Sequence, residues 1–230
     1  MATAMAMSFA CVSRASGLQV APIGLRLTGD TPAQALWLTN TGADPIHAQV
    51  RVFRWTQHDG KDLYEPSGDL VVSPPMTTIA AGSRQMVRVI RQAAPPDGVE
   101  ASYRVIVDEL PIDTPKGLAF VLRYSIPVFV APKDDASVRA TLDATWTDTP
   151  DGPRLRVRNE GNGHAQIANL VHVDSQGHRM VVLPGLVGYA LPDSAMSWAV
   201  PPHVPREGTW KARVNGETTE STLVAGKGDR

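Results

Sequence analysis

The stretch Gly117-Leu-Ala-Phe-Val-Leu-Arg-Tyr-Ser-Ile-Pro-Val-Phe-Val130 decides the fold. Every even position in it is apolar: Leu118, Phe120, Leu122, Tyr124, Ile126, Val128 and Val130. The odd positions mix Ala, Val, Arg, Ser, Pro and Phe. Alternation of period two places the even set on one face of a strand. Most strands run about 5–6 residues, so this one is long. Pro127 has no N–H to give to a ladder, which suits a sheet edge or a bulge. A long apolar edge strand invites aggregation unless something covers it. Two readings stand: an ordinary core strand, or an edge that exists to pair with another chain.

The rest of the chain supplies more strands of the same kind. With 230 residues it is long enough for one large or two ordinary domains. It is 43% hydrophobic, which gives material for a core, and carries 19 Pro and 19 Gly, the punctuation of many short strands. Alternating segments follow at Leu18–Leu27 (broken by Pro22 and Gly24), Ala35–Thr39, Ile46–Trp55, Leu70–Val72, Met86–Ile90 and Tyr103–Leu110. Seven strands, counting the long one, with turn signals every 8–12 residues, predict a β-sandwich. The polar run Ala131–Ala136 marks a boundary. Beyond it, strands are expected at Val138–Trp146, around Leu155 and Val157, and at Ala165–Val173, Met180–Leu183, Met196–Val200, Trp210–Val214 and Ser221–Val224. The expected layout is a leader over residues 1–15, a first domain over 16–131, a linker over 132–136 and a smaller β-sandwich over 137–230. The fold class is all-β.

The first fifteen residues are small and apolar with no acid. Ser13 and Ala15 stand at −3 and −1 of a secretory cleavage site, although no basic residue precedes Arg14. A disordered cytosolic tail is the competing reading. Cys11 is the sole cysteine and falls inside the leader, so a processed chain has no thiol. The net charge of −1, with no basic tract, gives no case for nucleic acid, and no apolar run reaches the ~18 residues of a membrane span.

Catalytic chemistry finds little support. The histidines at 47, 58, 164, 172, 178 and 203 form no His-x-His or His-Glu-x-x-His spacing, so no metal site is expected. No nucleophile elbow or phosphate loop is present. The adjacent acids Asp108-Glu109 and Asp134-Asp135 would point to opposite faces of a strand. The expectation is no enzyme, no cofactor and no small-molecule substrate. Glu109 shares parity with Tyr103, Val105 and Val107, which turns it inward, and a buried acid needs a partner. Arg88, in parity with Met86 and Ile90, is the expected partner in a structural salt bridge.

Several phrases carry a resemblance: Leu38-Thr-Asn40, Ser73-Pro-Pro-Met76, Met86-Val-Arg-Val89, Tyr103-Arg-Val-Ile-Val-Asp-Glu-Leu-Pro111 and Arg123-Tyr-Ser-Ile-Pro-Val-Phe-Val130. Leu183-Pro-Gly185, Tyr189-Ala-Leu-Pro192 and Trp198 continue it. Together they resemble the PapD-like periplasmic pilus chaperones, and the two longest phrases are similar to the archaic chaperone–usher class. That resemblance implies two immunoglobulin-like sandwiches in a boomerang, placed in the periplasm. It implies as partners pilus subunits of the spore-coat-U-like kind and an outer-membrane usher. A subunit lacking its last strand would accept Leu118, Phe120, Leu122 and Tyr124 into its groove, by strand addition. A secreted pilin-like protein is the alternative, though such a protein usually has one domain and a cysteine pair.

Better-known members hold the subunit's terminal carboxylate with an arginine in the first strand and a lysine late in the long strand. The matching positions here are Gly24 and Pro127, both uncharged. Arg88, Arg123 and Arg26 are the replacement candidates, in that order.

Overall fold

The computed structural model describes residues 17–111 and 121–225, in two all-β units. The expected leader, with Leu118 and Phe120, lies outside the described residues. The first unit contains β1 (Leu18–Ala21), β2 (Leu25–Leu27), β3 (Ala33–Asn40), β4 (Ile46–His58), β5 (Lys61–Pro66), β6 (Leu70–Ser73), β7 (Met76–Ile79), β8 (Arg84–Arg91), β9 (Ala101–Leu110) and β10 (Arg123–Val130). One sheet has the order β1-β3-β8-β6. The other runs β2-β10-β9-β4-β5, with β7 added to the first half of β4. The Pro22 and Gly24 break lets the chain leave the first sheet after β1 and enter the second as β2.

Alternation fills the space between the sheets. Leu36, Leu38, Val87 and Val89 point in from one side, and Val50, Tyr103, Val105 and Val107 from the other. On β10 the even residues Ile126, Val128 and Val130 join them, all nearly inaccessible. Strands β5 and β7 escaped the sequence reading because they lack the signal: β5 is exposed at all six positions.

The second unit comprises β11 (Leu142–Thr149), β12 (Gly152–Asn159), β13 (Ala165–Val173), β14 (Arg179–Ala190), β15 (Ser194–Ala199), β16 (Thr209–Val214) and β17 (Ser221–Ala225). They pair in the order β14-β13-β16-β17-β11-β12-β15 around Leu155, Val157, Ile167, Leu170 and Ala212. A short 3₁₀ turn, Asp135–Ser137, precedes β11, so the strand expected from Val138 starts later, at Leu142. Both units are immunoglobulin-like, in tandem. No helix among the described residues is long and apolar enough to cross a membrane.

The two units share a device. Asn40 closes β3 and Asn159 closes β12; both side chains are wholly buried. Each Nδ2 donates to two carbonyls, of Asp44 and Ile79 in one case and of Gly163 and Ala190 in the other. Each Oδ1 accepts the N–H of the glycine two residues on, Gly42 or Gly161.

Candidate binding cleft

The outer face of the β9 sheet is covered by the second unit at one end only. Trp55, Phe129 and Leu191, with Tyr189 beside them, form a small apolar cluster that joins the units. Trp55 and Phe129 occupy positions out of step with the inward residues of β4 and β10, so they face away from the first core. Gln57 completes the junction by accepting the Leu191 N–H and the Ser194 hydroxyl at 2.9 and 2.7 Å.

A second junction centres on Glu100, whose side chain is fully buried. Its Oε1 accepts the backbone N–H of His164 at 3.0 Å and lies 2.6 Å from His164 Nδ1. Its Oε2 accepts from Arg26 at 3.1 Å. Arg26 also reaches Asp135 at the linker. The His164 ring stacks on Phe129, with centroids 3.4 Å apart.

Beside these junctions opens a cleft of about 1090 Å³. Gly24 and Pro127 line it and face each other: a Cβ on Gly24 would lie 3.8 Å from Pro127 Cγ. On the far wall Trp198 lies over Gly188, where a Cβ would come within 2.9 Å of the indole. Leu186 and Ile23 stand exposed at the rim.

Of the three arginines that line this cleft, Arg104 is the buried one. It is 9% exposed, and its guanidinium lies 3.7 Å from the Trp55 ring centroid and 5.1 Å from that of Tyr189. Its Nη1 reaches the Ser125 carbonyl at 3.5 Å, its Nε has no partner, and it forms no ion pair among the described residues. Burial pushes its pKa down, partly countered by Tyr64, Tyr189 and Asp62 around it. A desolvated guanidinium that lines a cleft and forms no ion pair among the described residues, with the Asp62 carboxylate nearby, is still a receptor for an anion.

The three arginines chosen from sequence fare differently. Arg88 is exposed on the outer face of the first sheet, while Val87 and Val89 turn inward. Glu109 belongs to the other sheet and is half-buried there, so the expected Arg88–Glu109 salt bridge does not form, and parity is reversed for Arg88. Glu109 instead bonds Leu122 twice, its N–H to the carbonyl at 2.9 Å and its Oε2 from the N–H at 3.2 Å. Arg26 and Arg123 do line the cleft. Their charges are already engaged, Arg26 by Glu100 and Asp135, Arg123 by Asp108.

Leu122 and Tyr124 are partly buried against the chain's own core, and the Tyr124 hydroxyl donates to the Leu18 carbonyl at 2.6 Å. They root the strand rather than stand free. The edge of β10 itself is open: β2 pairs in parallel only with Val128–Val130, leaving 123–127 without an outer neighbour among the described residues. Among those residues no group of three His, Cys, Asp or Glu converges as metal ligands. His172 is buried against Trp210, and His178 bonds Asp174.

Known proteins share this architecture. A chaperone–tip subunit complex of the archaic Csu pili of Acinetobacter baumannii contains a chain 27% identical, with a TM-score of 0.72 over 90% of this chain and 96% of that one. The Pseudomonas aeruginosa CupB2 chaperone is 17% identical, with a TM-score of 0.65 over 90% of this chain and all of that one. A Salmonella enterica SafA pilin–SafB chaperone complex gives 18% and 0.66 over 93% and 98%. The curated proteins contain no match. Residues 17–135, more than half of the chain, match the model of the pili and flagellar-assembly chaperones, PapD N-terminal domain, and with that match the chain belongs to the PapD-like pilus chaperones.

Proposed function

We propose that this protein is a periplasmic chaperone of an archaic chaperone–usher system. It captures pilus subunits by lending them a strand and passes them to an outer-membrane usher. The observation that carries this reading is the open edge of β10 beside a cleft whose buried arginine forms no ion pair among the described residues. An extended subunit strand pairs with that edge through main-chain bonds, and alternate side chains set its register. Leu118 and Phe120 enter the subunit's groove, while Leu122 and Tyr124 keep the lent strand fixed to its own domain. The subunit's terminal carboxylate lies against Arg104, in place of the charges absent at Gly24 and Pro127. Its clients are spore-coat-U-like subunits. Binding and release require no covalent step and no ATP.

Co-expression with a candidate subunit tests the strand. Phe120→Asp places a carboxylate in an apolar groove at a cost of several kcal/mol and abolishes co-purification. Ala119→Asp, on the opposite face, retains most of it. Equal loss in both variants, or loss in neither, rules out alternating anchors.

A further inference from the structure

A second groove, of about 650 Å³, lies between the β4–β5 hairpin tip and the outward face of β12, and it shares no lining residue with the cleft. On β12, Leu155 and Val157 are fully buried, so Arg154, Arg156 and Arg158 line up on the outward side. Alternate residues of a strand stand about 6.6 Å apart, which makes a ladder of like charges. Arg158 forms an ion pair with Glu160 at 3.2 Å and faces Asp143 across the strand pair. Arg154 donates to the Ser197 carbonyl at 2.7 Å, and Arg156 forms no ion pair among the described residues, although the Asp143 carboxylate of β11 lies near enough to attract it and Arg158. The flanking positions on β15 are Ala199, Ser197 and Ala195, small enough to leave the guanidinium groups open from that side. Lys61 adds a fourth cation from the hairpin, against Asp59 and Asp193. The Asp59-Gly60 turn, with both residues at positive φ, places this tip, and Gln57 anchors its base to the second unit.

Nothing in the core requires the ladder, because the inward residues of β12 supply its packing. Like charges on one strand face repel. Their concentration on one wall is what an anionic partner would exploit. We propose that this groove docks an extended acidic segment of a second protein, with carboxylates at every other residue matched to Arg154, Arg156 and Arg158. An extended chain repeats its side chains at the spacing of β12 itself, and arginine's fork takes a carboxylate through two bonds. The hairpin walls one side, so a flat anionic membrane cannot lie along all three. Met196 and Trp198 of β15 line the cleft while Ala195 and Ser197 line the groove. The two sites therefore sit on opposite faces of that strand, and filling the groove leaves the cleft open. The groove is argued from its own residues and does not depend on what the cleft holds.

The test is fluorescence anisotropy of a labelled, capped peptide of alternating Glu and Thr. The wild-type protein binds it with an affinity that falls with salt, and does not bind the Gln-Thr counterpart. Combined Arg154→Gln, Arg156→Gln and Arg158→Gln weakens binding at least about tenfold with an unchanged melting temperature. Arg88→Gln, an exposed arginine on the other unit, and Arg104→Met, in the cleft, leave binding intact. Equal binding by the triple variant overturns the proposal, as does loss in Arg104→Met, which would put the peptide in the cleft. Tighter arginine-dependent binding to phosphatidylglycerol vesicles than to the peptide also overturns it, in favour of a membrane surface.

Discussion

Glu100 and His164, one from each unit, meet through a single carboxylate oxygen that contacts both the backbone N–H and the ring Nδ1 of the histidine. The other oxygen holds Arg26, so one buried acid ties together the first unit, the linker side and the second unit. Removing it leaves several donors buried without an acceptor. Glu100→Ala is expected to cost about 2–3 kcal/mol, tempered by the exposure of Arg26. It also loosens the angle between the units. Urea unfolding measures the first effect and small-angle scattering the second; an unaltered midpoint with an unaltered scattering profile would show that the junction rests on the aromatic cluster alone.

Asp108 gives a pH dependence with a definite sign. Burial opposes its charge, but hydrogen bonds from Arg123 and Arg51 outweigh that and hold its carboxyl below the ordinary range. A folded pKa below the unfolded one means that the native state binds fewer protons. The stabilisation is thus present above the ordinary aspartate value of about 3.9 and disappears as pH falls through the folded pKa. Asp108→Asn should lower stability at neutral pH by about 1–2 kcal/mol, since both arginines are partly solvated. The gap to wild type should close as pH falls below the ordinary aspartate range, through the lowered folded pKa. Urea melts across pH check this, and a gap independent of pH excludes it.

Alternation made most of the fold legible. The inward residues of β3, β4, β9 and β10 could be read because one face of each is apolar and the other is not. Period two states which residues share a face but not which sheet a strand joins, and it gave Arg88 the wrong face because Met86 and Ile90 are only half-buried there. Arg104 was missed for a related reason. By parity it belongs to the outward face of β9, and coverage of that face by the second unit leaves no period in the sequence. A signal was nonetheless present: Trp55 and Phe129, large aromatics out of step on neighbouring strands, marked a second buried surface. Arg104 lies beside them.

The buried asparagines test whether the two units are closed by the same device. Asn159 makes four hydrogen bonds, as donor to Gly163 and Ala190 and as acceptor from Thr141 and Gly161. Asn159→Ala should cost about 2–3 kcal/mol, because the carbonyls of Gly163 and Ala190 lose a buried donor and two main-chain N–H groups lose an acceptor. Asn159→Asp keeps the shape and both acceptor bonds but turns an oxygen toward two carbonyls. It should be as damaging as alanine at neutral pH. Asn40→Asp should behave alike in the first unit. A mild effect in either aspartate variant, read from thermal melts, would mean that water or a proton replaces the amide.

Arg104 separates function from stability. Its guanidinium gains from the Trp55 face, about 2 kcal/mol when desolvated. Against this stand its desolvation and the unpartnered Nε. Replacing a buried, uncompensated charge by an apolar side chain of similar length is often neutral or stabilising. Arg104→Met is therefore expected to keep or raise the melting temperature while abolishing subunit capture. Arg104→Lys keeps a charge but loses the planar fork and the stacking on Trp55, so capture should fall by roughly tenfold rather than vanish. A subunit whose C-terminus is extended by one or two residues should bind the wild-type protein as weakly as the native subunit binds Arg104→Met, because either change separates carboxylate from guanidinium. Pull-down and calorimetry on the same preparations decide the matter. A folded Arg104→Met protein that captures the native subunit normally would leave Arg123, released from Asp108, as the cleft cation that meets the carboxylate.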